Sequence, residues 1–227
     1  MHLPRVLLVT SCTCEKREAM IQTETKLLTF AEFLEWYPDD GGRYELIDGA
    51  IARMQPTGRH EEIAGFLATE LSFEIRRLQL PYFIPRSCIV KVPQQNTGYI
   101  PDAIALDRQV LSTEPLWEKA SSITKGESAR LVVEVVSTNW RDDYYKKFAD
   151  YELMGIPEYW IVDYLALGGR RYIGSPKLPT VSVCSLIESE YQVNQFRGVE
   201  RLVSPTFPEL TLTAEQVFAR AMGSSPC

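Results

Sequence analysis

The chain has 227 residues, of which 45% are hydrophobic and 24% charged, and its formal net charge at pH 7 is −6. This composition is typical of a globular protein, and the length suits one domain with elaborations or at most two small domains. The acidic balance argues against a protein that coats nucleic acid non-specifically, because such proteins carry a basic surface. It does not exclude an enzyme whose basic residues are concentrated at its active site.

The cysteines are scattered and odd in number: Cys12, Cys14, Cys88, Cys184 and Cys227. Because they lack the paired spacing of a zinc site, they favour reduced thiols and a cytoplasmic location. No apolar run approaches the ~20 residues that a membrane helix needs, so we expect no membrane partner.

The beginning of the chain does not resemble part of a domain. The apolar run at residues 6–9 is shorter than the ~7–15 residues of a signal-peptide core, and Met20 is a candidate for the natural start. We therefore predict an extension at 1–27, one domain at 28–218 and a tail at 219–227, with residues 1–19 poorly packed.

The predicted elements begin with a short helix. Thr29-Phe-Ala-Glu32 is a capping box, and the helix that follows it is expected to end near Tyr37. Arg43–Ile47 and Ala50–Met54 are predicted strands. They flank Asp48-Gly49, which is a strong signal for a hairpin with a two-residue type I′ turn.

The middle of the chain is predicted to contain one long helix and two strands. Apolar residues recur at helical spacing from about His60 to Leu80. Strands are predicted at Tyr82–Val92 and at Tyr99–Leu106. Residues 107–129 are mixed and polar, which predicts a loop with a helical turn.

A strand, a helix and a strand then follow in order, at Leu131–Val136, Trp140–Met154 and Tyr159–Asp163. Gly155 is suited to end the helix, and Pro157 prevents its continuation. This order predicts a β-α-β unit with a right-handed crossover.

The rest of the chain is predicted to be rich in strands from Arg170 to Leu212, with hairpins near Glu188–Glu190 and Gly198. Thr213–Ala219 is a predicted closing helix. The complete order predicts an α+β (mixed α/β) domain with a C-terminal β extension.

Glu134 is the most informative residue, because it lies within the otherwise apolar predicted strand Leu131–Val136. Burying an unpaired carboxylate costs several kcal/mol, so Glu134 is expected to be paired, protonated or bound to a cation. Asp102 lies in a second strand-like segment, and Lys146 and Lys147 follow on a predicted helix. Two acids and a lysine at the end of a sheet suggest a metal-dependent phosphodiesterase site. Mg²⁺ prefers one or two protein carboxylates, it activates water, and a lysine can bind a phosphate oxygen.

The combination of Pro101-Asp102, a glutamate on an apolar strand and a lysine resembles the PD-(D/E)xK nuclease superfamily. The common form carries the lysine two residues after the glutamate, where this chain has Val136. Some branches carry the lysine on the following helix, so Lys146 and Lys147 are both candidates. Asp143, Lys147 and Tyr151 lie on one helix face at i, i+4 and i+8, whereas Lys146 is expected to pair with Asp150. Lys147 is therefore preferred.

A longer ordered set of segments makes the resemblance more specific. The set comprises Tyr44–Gly49, His60, Pro101-Asp102, Val133–Ser137, Asp143 with Lys147 and Tyr151, and Gly155–Asp163. Over roughly residues 28–218 it resembles the Uma-type restriction endonuclease family of bacteria. The resemblance implies a restriction-endonuclease-like fold, in which helices flank a mixed sheet, and often a homodimer.

The same resemblance implies DNA as substrate, Mg²⁺ or Mn²⁺ as cofactor, and a role for each candidate residue. Asp102 and Glu134 would be metal ligands, with Glu45 as a third acid. Lys147 would position the attacking water, and His60 would support the attacking or leaving oxygen.

Each candidate also has a structural interpretation. Asp102 can cap a turn, His60 can merely begin a helix, and Glu134 and Lys147 can form a buried pair without catalysis. Lys147 can also form an ordinary helix pair with Asp143. Val136 and the acidic balance favour an alternative function, that of an inactive nuclease fold acting as a dimeric nucleic-acid-binding or interaction module.

Two further possibilities concern nucleic acid. An RNA-directed nuclease is a third interpretation, but the sequence predicts no aromatic stacking platform of the kind that single-strand binders use. Candidates to line a DNA groove are Arg53, Arg59, Arg76, Arg77, Arg86 and Lys91.

Overall fold

The computed structural model describes residues 26–220. The α-helices are α1 (Phe30–Trp36), α2 (Gly58–Arg77), α3 (Arg108–Leu111), α4 (Trp117–Ala120), α5 (Lys147–Met154), α6 (Arg170–Ile173) and α7 (Ala214–Ala219). A 3₁₀ turn spans Gly126–Ser128, and a π-helix at Asp142–Lys146 leads directly into α5.

The strands form two sheets. They are β1 (Arg43–Ile47), β2 (Ala50–Met54), β3 (Tyr82–Phe83), β4 (Ile89–Lys91), β5 (Gly98–Tyr99), β6 (Ala103–Asp107), β7 (Ser122–Ile123), β8 (Ala129–Val135), β9 (Glu158–Asp163), β10 (Thr180–Ile187) and β11 (Glu190–Phe196). The larger sheet has the order β11-β10-β9-β8-β6-β3, and the smaller has the order β2-β1-β5-β4-β7. In the larger sheet β8 and β9 are parallel and the other neighbours are antiparallel.

The β-α-β prediction is confirmed, because β8 and β9 are parallel and the π-helix and α5 connect them. The two faces of β8 are covered by different helices. Val133 packs in a cluster with Ile63 and Leu67 of α2, while Val132 packs in a cluster with Tyr151 of α5. Arg130 and Glu134 are the charged residues of this strand, and of the two only Glu134 is fully buried.

The predicted capping box and hairpin turn are also confirmed. The Thr29 side chain accepts from the Glu32 amide, and the Glu32 side chain accepts from the Thr29 amide. Asp48 and Gly49 both have positive φ, at 50° and 84°, as a type I′ turn requires. The turn joins β1 to β2 with Ile47 opposite Ala50.

Two strand predictions were too long, and proline explains both. The segment 82–92 divides into β3 in the larger sheet and β4 in the smaller, with Pro85 between them. The segment 99–106 divides at Pro101 into β5 and β6, which again belong to different sheets. Proline has no amide hydrogen for a strand ladder, so the chain leaves one sheet there and enters the other.

Three other predictions need smaller corrections. The loop predicted at 107–129 contains α3, α4, β7 and the 3₁₀ turn. The predicted helix at Trp140–Met154 does begin at Trp140, but residues 142–146 within it form a π-helix. The hairpin at Glu188–Glu190 is present, but only an isolated bridge between Arg201 and Thr213 follows Gly198.

The predictions for residues 1–25 and 221–227 lie outside the described residues. Between residues 26 and 220, no helix is both long enough and apolar enough to span a membrane.

Candidate active site

The pairing of β6 with β8 places Asp102 beside Glu134. Ala103 lies opposite Val133, so Asp102 reaches the end of β8 next to the glutamate. The Asp102 amide donates to the Val133 carbonyl at 3.1 Å, and the Val135 amide donates to Asp102 Oδ2 at 2.8 Å. The aspartate is therefore held in place by the backbone of the strand that carries Glu134.

Lys147 is the centre of the acidic cluster. Its Nζ lies 3.0 Å from Glu134 Oε2, 3.3 Å from Glu45 Oε1 and 3.8 Å from Asp143 Oδ1. The lysine is 4% exposed. The Tyr151 hydroxyl donates to Glu134 Oε1 at 2.9 Å. Both oxygens of Glu134 therefore have partners from the helix that follows its strand.

Glu45 comes from the smaller sheet. Its Oε1 accepts from the Ile100 amide at 2.9 Å and also contacts Lys147. Ile100 lies between β5 and β6, in the segment where the chain crosses from the smaller sheet to the larger. The cluster is thus assembled between the two sheets, and Lys147 connects them.

His60 approaches Asp102 from the first turn of α2, whose N-cap is Thr57. Its Nε2 lies 2.9 Å from the Val135 carbonyl and 3.2 Å from Asp102 Oδ2. Since a carbonyl only accepts, Nε2 carries the proton, while the buried Nδ1 has no partner among the described residues. Burial acts to lower the pKa of His60, but the hydrogen bond and charge of Asp102 outweigh it, so the pKa is raised overall.

Arg43 and Asp143 belong to the cluster but were not in the predicted site. An Arg43 guanidinium nitrogen lies 3.7 Å from Asp102 Oδ1 and 3.4 Å from the carbonyls of Ile100 and Pro101. The spacing of Asp143 from Lys147 in the sequence was a usable signal for its inclusion. Nothing local in the sequence pointed to Arg43, because its contact depends on the pairing of β1 with β5.

The π-helix places Asp143 in the cluster. The Lys147 amide donates to the Asp142 carbonyl, a five-residue step that widens the turn. π-Helical turns are rare and are frequently found at functional sites. The Tyr159 hydroxyl donates to the Asp143 carbonyl at 3.0 Å and so ties the widened turn to β9.

The cluster carries more negative than positive charge. Burial, the largest influence, raises the pKa of Glu134 well above its ordinary value, with Lys147 opposing the change. Burial likewise raises the pKa of Asp143 to about 7. For Lys147 burial favours the neutral amine, but the carboxylates, Glu134 first, outweigh it and raise the pKa well above its ordinary value. The lysine therefore stays charged, and the excess negative charge must be held by protons or by a bound cation.

The residues fit a divalent cation in their chemistry. They line a cavity of about 110 Å³ that includes Asp102, Glu134 and Glu45. The Oδ1 atom of Asp102 is buried and makes no hydrogen bond within residues 26–220. In that same part of the chain, no three His, Cys, Asp or Glu side chains are grouped so that they could hold a metal. Two carboxylates are enough for Mg²⁺, which usually retains several of its waters.

The structure separates the two lysines. Lys147 lines the cavity, whereas Lys146 forms an ion pair with Asp48 at the β1–β2 turn. The predicted pair between Lys146 and Asp150 is wrong. Asp150 accepts from the Tyr99 hydroxyl at 2.6 Å and from the Gln95 amide group at 3.0 Å.

Among the basic residues proposed for a DNA groove, Arg53 alone lines the cavity. Arg77 is bound to Glu74 and Glu209, which leaves its guanidinium less available to phosphate. Arg76 and Arg86 line a separate depression beside α2.

Comparison with known proteins identifies the family. No curated protein matches the chain. A solved structure described as a putative nuclease belonging to DUF820, from Anabaena variabilis ATCC 29413, shares its fold with a TM-score of 0.65. The two are 18% identical, and the match covers 86% of this chain and 99% of that one. The Uma2 family, described as "Putative restriction endonuclease", matches residues 30–215. The chain therefore belongs to the Uma2 family.

Proposed function

We propose that this chain is a Mg²⁺- or Mn²⁺-dependent endonuclease that hydrolyses DNA phosphodiester bonds. The observation that carries the proposal is the buried ammonium of Lys147, which lines a cavity and is held there by Glu134, Glu45 and Asp143. Such a cluster combines acids suited to a metal with a cation suited to a phosphate oxygen. Membership of the Uma2 family, whose description is "Putative restriction endonuclease", supports the same reaction.

Asp102 and Glu134 are proposed to hold the metal, with Glu45 assisting through its 3.3 Å contact with Lys147. The buried Oδ1 of Asp102 makes no hydrogen bond in the described residues and has the Arg43 guanidinium 3.7 Å away, so it is the oxygen proposed for this role. The bound ion would supply a water activated near neutral pH and a positive charge beside the scissile phosphate.

The other residues act on position and protons. Lys147 is proposed to orient the attacking water or a phosphate oxygen, a task that its raised pKa permits because the amine stays charged. Tyr151 fixes the rotamer of Glu134 through its 2.9 Å hydrogen bond. His60 holds Asp102 through Nε2, and its unpaired Nδ1 is the atom proposed to support the attacking or leaving oxygen.

The biological setting is also proposed. A homodimer and a cytoplasmic location remain predictions, based on the family resemblance and on the scattered cysteines respectively. The single domain at 28–218 is a prediction as well, and the family match at 30–215 is consistent with it.

A specific observation favours the alternative function, an inactive nuclease fold that serves as a binding module. Lys147 Nζ occupies the space between Glu45 and Glu134, where a cation would bridge these acids. A lysine fixed there would neutralise the cluster without a metal. The two functions differ in whether the acids bind a divalent ion while Lys147 is present.

Plasmid cleavage distinguishes them. We would compare the unmodified chain with Asp102→Asn and Glu134→Gln in Mg²⁺, Mn²⁺ or EDTA. Each variant should lose at least about 100-fold in rate, the upper end of what losing an outer-shell partner of a metal costs. Glu158→Gln is the matched control, because Glu158 is equally buried but its partners are Trp160, Ser204 and Thr206. Cutting that persists in both site variants would refute the assignment. If the unmodified chain cuts neither DNA nor RNA, the binding module is the better interpretation.

A further inference from the structure

We propose that a second cavity of this protein binds a nucleobase. It shares no lining residue with the 110 Å³ cavity around Asp102, Glu134 and Glu45, which we call the acidic cavity. Two of its residues are nevertheless sequence neighbours of acidic-cavity residues, because Tyr144 follows Asp143 and Phe148 follows Lys147. The assignment of this base to the substrate strand rests on the function proposed above, whereas binding of a base does not.

The cavity has the dimensions of a ligand site. It measures about 570 Å³, within the ~300–1,000 Å³ range of small-molecule pockets. The π-helix and α5 form one wall, α6 forms another, and β9, β10 and β11 form the floor. Its main lining residues are Tyr144, Tyr145, Phe148, Arg171, Tyr172 and Ser182.

The walls are aromatic. Tyr144 and Tyr172 are stacked with ring centroids 4.9 Å apart at 30°, and Tyr145 meets Tyr172 edge-on at 5.1 Å. Trp140 lies 6.2 to 6.3 Å from each of these three rings. Tyr145 is 43% exposed and so offers a ring face to a ligand. These rings form the aromatic platform that the sequence did not predict, because Tyr172 lies 27 residues beyond Tyr145 in the chain.

A cation and a polar floor accompany the rings. The exposed Arg171 guanidinium lies 4.8 Å from the Tyr172 ring centroid and 5.5 Å from that of Tyr145. It can contact a phosphate while it stacks on the rings. Ser182 lines the cavity and is 1% exposed, and its hydroxyl makes no hydrogen bond of good geometry within the described residues. A planar ligand with polar edges and a phosphate would satisfy all three features.

A nucleotide matches this chemistry, since every base has a face that stacks on aromatic side chains and every nucleotide carries a phosphate. Two ligands have this chemistry: an unpaired nucleotide of a nucleic acid strand, and a free nucleotide. The first would place an unpaired base beside the helix that carries Lys147 and Asp143. It would give the enzyme a preference for single-stranded or locally opened substrate.

The test measures binding in EDTA, so that it does not depend on metal or cleavage. The probes are a fluorescently labelled six-nucleotide single strand, a blunt duplex and free dAMP as competitor. Tyr145→Ala should weaken binding roughly 5- to 150-fold, the range for the loss of one stacked base. Arg171→Gln should weaken binding and reduce its salt dependence by about one phosphate contact. Trp36→Ala is the matched control, because Trp36 is an aromatic residue of α1 that lies outside this cavity and is 42% exposed, against 43% for Tyr145.

Each outcome decides the proposal. Binding of the single strand or of dAMP that falls in both cavity variants but not in Trp36→Ala supports the proposal, and the probe that binds identifies the source. The absence of binding to both probes, or equal binding by all variants, overturns it. Since Arg171 is exposed, Arg171→Gln keeps the test valid if Tyr145→Ala does not fold. If a base binds but no nucleic acid is cleaved in Mg²⁺ or Mn²⁺, the proposed nuclease function is wrong and the base-binding site is still supported. If nucleic acid is cleaved but no base binds, the nuclease function is supported and the base-binding site is wrong.

Discussion

Two buried glutamates on neighbouring parallel strands have opposite surroundings. Glu134 on β8 is 2% exposed and Glu158 on β9 is 0% exposed. Burial raises the pKa of both carboxyls. Neither burial nor a raised pKa therefore distinguishes a site from a structural group in this sheet.

Their partners do distinguish them. Glu158 accepts from Trp160 Nε1 at 2.6 Å, from the Ser204 hydroxyl at 3.0 Å and from the Thr206 amide at 2.8 Å. All three donors are neutral, and the network is closed. Glu134 instead shares a cavity with other acids and Lys147. The feature that indicates a functional site is therefore an excess of buried negative charge lining a cavity.

Replacing the central lysine should have the largest effect on stability. Lys147→Met leaves several buried carboxylates without their cation, and breaking a buried ion pair in this way costs about 3–5 kcal/mol. Lys146→Met is the matched control, because that lysine pairs with the 69% exposed side chain of Asp48. Its loss should cost less than about 1 kcal/mol. Urea unfolding of both variants measures the difference, and equal losses would contradict the central place given to Lys147.

The second prediction concerns pH. Asp143 has a pKa raised from 3.8 to about 7, so the folded chain binds more protons at this group than the unfolded chain does. The stability that its proton contributes is present below pH 4 and is lost as the pH rises to 7, by at most about 4 kcal/mol. Asp143→Asn should flatten the decline in the free energy of unfolding over this range. An unchanged slope would show that Asp143 does not carry the proton.

The third prediction tests the structural glutamate. Glu158→Gln replaces one acceptor oxygen with a donor group facing existing donors, which should cost about 1.5–3 kcal/mol of stability. Metal-dependent cleavage by the folded fraction should be unaffected, because no residue of this network lines the acidic cavity. A large loss of cleavage in a normally folded Glu158→Gln variant would contradict the assignment of Glu158 as structural and Glu134 as functional.

The smallest expected effect on stability comes from Tyr151→Phe. This change removes the hydroxyl that donates to Glu134 Oε1 and should cost about 0.5–1.5 kcal/mol. If Tyr151 positions a metal ligand, cleavage should fall by about 10- to 100-fold. Loss of stability without loss of cleavage would show that Tyr151 only fills the core.

Much of the fold could be predicted from local patterns. Apolar periodicity indicated α2, and the unbroken apolar run with one acid indicated β8. The Asp48-Gly49 turn and the Thr29 capping box depend only on residues adjacent in the sequence, so they too could be predicted. The candidate acids were visible because a carboxylate in an apolar strand requires an explanation.

The remaining features depend on long-range pairing. The division of two predicted strands between sheets follows from which strands pair, and the contact of Arg43 with Asp102 depends on the same pairing. The π-helix at Asp142–Lys146 has no local signature in this sequence. The aromatic cavity joins Tyr145 to Tyr172 across β9, so spacing along the chain conceals it.

Calorimetric titration of Mn²⁺ into the unmodified chain, Glu134→Gln and Glu158→Gln tests the central claim most directly. Because Glu134 and Asp143 have raised pKa values, a bound metal should displace protons, which titration in buffers of different ionisation enthalpy detects. We predict binding with proton release in the unmodified chain and in Glu158→Gln, and its loss in Glu134→Gln. Equal Mn²⁺ binding by both variants, or none by the unmodified chain, would contradict the claim that the charge around Glu134 serves a divalent cation.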